Sequence, residues 1–187
     1  MGQCKRVAHG GKISGMNDIA LTKAQLRAEI LLARKTNQVS EQQKLDLTEN
    51  ILSLVNRLSP TRVAIYSSYP SEPDTHLAIT ELIAKSIPVL VPETLNDGLL
   101  DWHEVGSDTS VELEATDLLL IPALAVDLLG NRVGRGKGYF DRELAKSSVS
   151  KVYAVVFESE VLREVPVEAH DRQVSGVVTQ VAIRDLN

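Results

Sequence analysis

The chain of 187 residues holds a single cysteine, Cys4, which excludes an intramolecular disulfide framework and cysteine-rich zinc sites and fits a reducing compartment. No apolar run approaches the roughly 20 residues of a bilayer span, which excludes a membrane-crossing helix. The four histidines, His9, His76, His103 and His170, are scattered, and no two stand at helical metal-ligand spacing. Nor is there a basic excess: 20 Lys and Arg face 25 Asp and Glu, a net charge of −5. Such a surface repels nucleic-acid backbones unless a local basic patch overrides it. What remains is 43% hydrophobic and 24% charged, the balance of one globular domain with one substantial core. These absences point to a cytoplasmic chain with neither a nucleic-acid nor a membrane partner.

Residues 1–17 are polar and carry no acid. They are expected to be a disordered extension, or an upstream start before Met16. The basic, acid-poor composition resembles a transit segment faintly, without its amphipathic period. Residues 18–187 are expected to form one domain. From Leu21 the spacing of Leu21, Ala24, Ala28, Leu31 and Leu32 predicts a helix with Thr22 as N-cap and with Lys23, Arg27, Arg34 and Lys35 largely off its apolar face. A second helix is predicted from Ser40 to Leu58, opened by Ser40 with Gln43 three residues on and ended at Ser59-Pro60. After Pro60 short β-rich runs alternate with helical ones. Strands are predicted at 62–66, 87–91, 99–105 (an edge strand around Trp102), 117–121, 152–157 and 177–182. Helices follow at 75–84, with Asp74 as N-cap, and at 139–146. Strand, helix, strand within about thirty residues is a βαβ unit. The expected fold is therefore a single α/β domain, mostly parallel sheet with helices on both faces.

Between the run at 117–121 and the helix near 140, Arg132, Arg135, Lys137 and Arg142 face one acid, Asp141, and three glycines alternate at 134, 136 and 138. Glycine admits positive φ and lets an anion come close, and successive amides form a concave nest. The helix that follows adds free amides and a positive dipole end. This is a polyphosphate cradle placed where open α/β sheets bind ligands. It is not a Walker loop, because Asn131 stands at the first glycine and Gly138 follows Lys137. It is not a dinucleotide fingerprint either, because Tyr139 stands where the last glycine belongs. The plain alternative is a glycine-rich surface loop with solvated charges.

The run Asp117-Leu-Leu-Leu-Ile-Pro122-Ala-Leu-Ala-Val-Asp127, with Gly130-Asn-Arg132-Val-Gly134-Arg-Gly-Lys-Gly-Tyr139-Phe-Asp141-Arg142, resembles the 5-formyltetrahydrofolate cyclo-ligase family, also called methenyltetrahydrofolate synthetase. Three stretches agree in order: Lys23-Ala-Gln-Leu26-Arg27, Ser71-Glu72-Pro-Asp74-Thr75, and Pro166-Val-Glu-Ala-His-Asp171 before Val177-Val-Thr179. Ala123, Val126 and Phe140 depart from the usual glycine, phenylalanine and second tyrosine. The resemblance implies a fold related to sugar-phosphate isomerases and coenzyme A transferases. It implies a monomer that takes ATP as co-substrate and Mg²⁺ as cofactor to cyclise 5-formyltetrahydrofolate to 5,10-methenyltetrahydrofolate. It places Lys23, Arg27, Arg132, Gly134, Arg135, Gly136, Lys137, Gly138 and Tyr139 on ATP. It places Ser67, Glu72, Arg135, Gly136, Lys137, Gly138 and Tyr139 on the folate, and Asp141 and Asp171 on magnesium.

Without the resemblance, Lys23 and Arg27 read equally as a solvated helix face, Asp141 as a helix N-terminal charge, Asp171 as a turn residue and Trp102 as core. A different job on the same fold is the main rival: a non-catalytic domain sensing a phosphosugar or nucleotide needs the phosphate nest but no magnesium carboxylates.

Overall fold

The computed structural model describes residues 14–115, 117–169 and 171–186. The unbroken apolar runs become neighbouring strands covered on both faces: β1 (Val63–Ile65), β5 (Leu118–Pro122) and β8 (Lys151–Val155). With β2 (Val89–Thr94), β3 (Leu100–Glu104), β4 (Ser110–Val111), β10 (Gly176–Val178) and β11 (Ile183–Asp185) they form an eight-stranded sheet in the order β11-β10-β8-β5-β1-β2-β3-β4. The five strands from β10 to β2 run parallel, and β11, β3 and β4 pair antiparallel at the two edges. The expectation of one mostly parallel α/β domain holds.

Helices α2 (Glu41–Leu58) and α3 (His76–Ala84) cover one face, packing Ile51, Leu54, Ala78 and Leu82 on Val63, Ile65, Leu118 and Leu120. Helix α4 (Tyr139–Lys146) covers the other, where Phe140 and Leu144 meet Ala64, Leu119, Ile121 and Ala154. The alternation of strand side chains between the two clusters is the period of two that a pleated strand imposes. Ser40 caps α2 with the predicted reciprocal pair: Gln43 N–H donates to Ser40 Oγ at 3.2 Å and Ser40 N–H to Gln43 Oε1 at 2.9 Å. Asp74 serves α3 from one residue outside the cap, which is Thr75, by accepting from His76 N–H at 3.0 Å.

Several expectations need correction. Helix α1 runs Ser14–Thr36, so it begins seven positions before Leu21 and includes residues 14–17. Nothing from Ser14 to Leu21 breaks a helix as proline would, and Thr22 is interior, not a cap. Residues 1–13, the rest of the expected extension, lie outside the described residues. The buried face of α1 is also not the apolar stripe. Lys23 and Arg34 are buried, whereas Ala24, Ala28 and Leu32 are exposed, because carboxylates far along the chain receive the cations. Strand β2 continues through Pro92, which costs little: β1 pairs only as far as Leu90, so no neighbour on that side is denied a donor. Trp102 lies on β3, which is flanked by β4 and is not the edge. The run 177–182 breaks at Thr179, whose Oγ1 accepts from the amides of Val181 and Ala182 (both 3.1 Å) and turns the chain back as β11. The segment 122–138 is not one loop. Strands β6 (Ala125–Asp127) and β7 (Arg132–Val133) form a hairpin that, with β9 (Val161–Leu162), makes a second, three-stranded sheet.

The closing strand β11 is held by charge. Asp185 accepts from Arg57 at 2.6 Å and 2.8 Å and from the Tyr153 hydroxyl at 2.5 Å. The Arg57 hydrogen bonds, then that of Tyr153, hold the Asp185 carboxyl below the usual carboxylate range. Burial and the bond to Asp185 push the Tyr153 phenol up to about 12. A carboxyl depressed on folding stabilises above its unfolded value near 4 and loses that stability as pH falls; a phenol raised on folding stabilises below about 10 and loses it as pH rises. Thermal melting against pH should therefore show an acid limb that shrinks in Asp185→Asn and an alkaline limb that shrinks in Tyr153→Phe. Limbs identical to wild type in both variants would remove this account.

Candidate active site

The chain leaves β1 for β2 on one side of the sheet and β5 for β8 on the other, so the carboxyl ends of β1 and β5 part at a topological switch point, where open α/β sheets hold ligands. A cavity of about 790 Å³ opens there, in the upper part of the range for small-molecule sites. The segment after β1 supplies Ser67 and Glu72, the end of β5 supplies Pro122 and Ala123, β2 supplies Glu93, and the stretch from β7 into α4 supplies Arg132 to Asp141. Lys23 and Arg27 enter from α1, and Glu168 and Asp171 from the loop before β10.

Most of the cations on the cavity wall are already engaged. The buried Lys23 ammonium donates to Asp171 Oδ2 at 2.6 Å and Glu168 Oε2 at 2.7 Å. Arg27 donates to the Gly134 carbonyl at 2.9 Å, which ties α1 to the start of the glycine loop. Arg132, buried on β7, bonds Asp141 and the Arg172 carbonyl. Burial lowers its proton affinity most, and the charges of Asp141 and Asp171 work against that fall; a guanidinium keeps its charge regardless. Arg135 reaches over to the buried Glu72, Nε to Oε1 at 2.8 Å, while the other oxygen of Glu72 accepts from Tyr69 N–H at 3.0 Å. The Lys137 ammonium, among the described residues, has no ion-pair or hydrogen-bond partner, and the residue is exposed at the cavity rim.

Five cationic and five carboxylate side chains thus line one cavity. The two sets balance one another, so a polyanion entering the cavity would displace carboxylates from cations or bring a counter-cation of its own.

The structure gathers every residue that the resemblance singled out, from Lys23 to Asp171, around this one cavity. Two neighbours behave otherwise. Arg142, counted with the basic cluster, lies off the cavity lining and donates to the Gly98 and Lys137 carbonyls. Trp102 is core, 2% exposed and away from the cavity. Sequence reasoning passed over Glu168 and Glu93. The signal for Glu168 was there, an acid three residues before Asp171 in the same motif; Glu93 had none, because it depends on β2 outlasting its predicted end.

A family model described as the 5-formyltetrahydrofolate cyclo-ligase family matches residues 107–180. The curated 5-formyltetrahydrofolate cyclo-ligase of Mycolicibacterium smegmatis is 31% identical over 84% of this chain and 93% of its own length. That of Mus musculus is 27% identical over 82% of this chain and 91% of its own. The NMR structure of Aquifex aeolicus 5,10-methenyltetrahydrofolate synthetase superposes with a TM-score of 0.77 at 25% identity, covering 88% of this chain and 93% of that one. The rival reading as a non-catalytic sensor falls with these relatives. A cavity at the switch point, the glycine-rich block beside it and relatives matched over nearly their full length agree: the chain belongs to the 5-formyltetrahydrofolate cyclo-ligase family.

Proposed function

We propose that the chain, acting as a cytoplasmic monomer, cyclises 5-formyltetrahydrofolate to 5,10-methenyltetrahydrofolate with ATP and magnesium, releasing ADP and phosphate. The observation that carries this is the convergence of the glycine loop, the α1 cations and Glu72 on a single cavity lined by one copy of the chain.

The chemistry needs such a cavity. A formamide carbonyl is a poor electrophile and its oxygen a poor leaving group. Transfer of the γ-phosphoryl of ATP to the formyl oxygen breaks the β–γ bridge and releases ADP. Nitrogen 10 of the folate then attacks the activated carbon and gives up its proton, and the C–O bond breaks as the phosphate leaves and carries that proton away. The protein's work is to align the two substrates and neutralise charge on the moving phosphoryl group. Lys137, Arg135 and the amides of Gly136 and Gly138 face that group. Lys23, Arg27 and Arg132 hold the rest of the triphosphate. Glu72 accepts from the amino-pyrimidine edge of the pterin, as carboxylates do with base donor edges, once Arg135 has turned to phosphate. Ser67 and Tyr139 bound the folate side.

Asp141 and Asp171 offer hard oxygens on the cavity wall, and no group of three or more His, Cys, Asp or Glu that could hold a metal stands among the described residues. That donor set fits magnesium, which takes one or two carboxylates and completes its shell with phosphate and water. Bound there, the ion would supply positive charge to the transferring phosphoryl group. Lys23 and Arg132, which the same two carboxylates now hold, would turn to the triphosphate.

The purified chain should convert 5-formyltetrahydrofolate to the methenyl form, followed by absorbance, only when ATP and magnesium are both present. Folded protein without turnover in the complete mixture would end this reading, and turnover without ATP would end its mechanism.

A further inference from the structure

We infer that Arg142 is a positioning residue of the nucleotide loop: it fixes the peptide between Lys137 and Gly138 so that the Gly138 N–H faces the cavity. The inference rests on the reading that this loop receives phosphate. Arg142 stands in the first turn of α4, where its own amide donates to the Gly138 carbonyl at 3.0 Å. Its Nη2 donates to the Lys137 carbonyl at 3.2 Å and to the Gly98 carbonyl at 2.7 Å, and Nε adds a bond to Gly98 at 3.2 Å. The guanidinium lies 5.6 Å from the centre of the Tyr139 ring. One side chain thus joins the tip of the β2–β3 hairpin to the glycine loop.

A planar trans peptide points its C=O and N–H in opposite directions. Arg142 lies off the cavity wall while Lys137 and Gly138 line it. Holding the Lys137 carbonyl toward Arg142 turns the N–H of that same peptide, which belongs to Gly138, toward the cavity. That amide makes no backbone hydrogen bond among the described residues, as a donor kept for an anion would not. Two glycines clear the space. A Cβ on Gly98 would come within 2.6 Å of Arg142 Nη2, and one on Gly138 within 3.1 Å of Nη1. Both also sit at positive φ, +79° and +70°, where a side chain is strained.

The test labels the full chain with ¹⁵N-glycine and titrates it with a non-hydrolysable ATP analogue and magnesium. The wild-type Gly138 amide resonance should move on binding. In Arg142→Ala the analogue should bind about tenfold more weakly, the worth of one hydrogen bond to a charged group, and the Gly138 response should shrink. Arg142→Lys keeps the charge but not the fork, so it should behave like the alanine variant; full recovery in Arg142→Lys would show that charge alone matters and would overturn the proposal. Arg142→Ala with wild-type affinity and a wild-type Gly138 response would overturn it too, while leaving the nucleotide reading intact. If Arg142→Ala melts well below wild type, Arg142→Lys decides on the same two readouts. Wild-type protein that does not bind the analogue removes the nucleotide reading itself, and the proposal with it.

Discussion

Replacing Lys137 by alanine is expected to lower kcat/KM for ATP by about 10²–10³-fold, the usual loss when a donor aimed at developing transition-state charge is removed, with the melting temperature unchanged. The asymmetry follows from its surroundings. Lys23 and Arg132 are buried and paired with Asp171 and Asp141, and Arg135 is paired with Glu72. Changing any of those three leaves a carboxylate without its cation and mixes a structural effect with a catalytic one. Lys137 is exposed and its ammonium, among the described residues, is paired with nothing, so its charge is spent on no internal contact and its removal strands no partner. A surface substitution of that kind changes stability by about 0.5 kcal/mol or less. Steady-state kinetics at varied ATP, beside a thermal melt, separate the two quantities. Wild-type kcat/KM in Lys137→Ala would mean the loop does not grip the transferred phosphoryl group. A large fall in melting temperature would mean the residue serves the fold.

The sequence was most legible where the signal is local. Leu118 to Ile121 has no alternation and lies under both layers; Ser40 and Gln43 cap α2 as their spacing says; the glycine–cation alternation at 132–138 lines the cavity. It was least legible where partners are remote. Strands β6 and β7 have three and two residues, and the β9 strand that pairs with β6 begins only at Val161, so no window contains the sheet. The orientation of α1 was misread for the same reason. Lys23 and Arg34 look like a solvated face until Asp171 and Glu160, each more than a hundred residues on, are seen to meet them. Those buried charges share the inward side of α1 with Leu26 and Ile30, while Ala24, Ala28 and Leu32 are exposed beside Gln25, Glu29 and Lys35, so the apolar spacing pointed to the wrong face.

That remote pairing is the basis of the largest stability effect expected in the chain. Arg34 donates through Nε and Nη2 to the two oxygens of Glu160 at 2.6 Å and 2.7 Å, and through Nη2 to the Ala123 carbonyl at 2.7 Å. Both side chains are nearly sealed, 2% and 6% exposed, and the guanidinium lies 5.5 Å from the centre of the Phe157 ring. Arg34→Met keeps most of the volume and leaves the Glu160 carboxylate buried without its cation, a loss of about 3–5 kcal/mol. For a chain of this length that lowers Tm by on the order of 10 °C. Adding Glu160→Gln should recover part of the loss, because the amide needs no cation and its oxygen can still accept from Phe157 N–H, which Glu160 Oε2 does at 2.9 Å. The pair also carries function. It docks α1 on Ala123, which lines the cavity beside Lys23 and Arg27, so Arg34→Met should raise KM for ATP even at temperatures where the variant is fully folded. A double variant that regains Tm but not KM would separate the two roles: the pair's charge balance sets stability, and the Arg34 hold on the Ala123 carbonyl sets where α1 delivers its cations. A single variant melting within about 1 kcal/mol of wild type would show that Glu160 reaches water, or a proton, once Arg34 is gone.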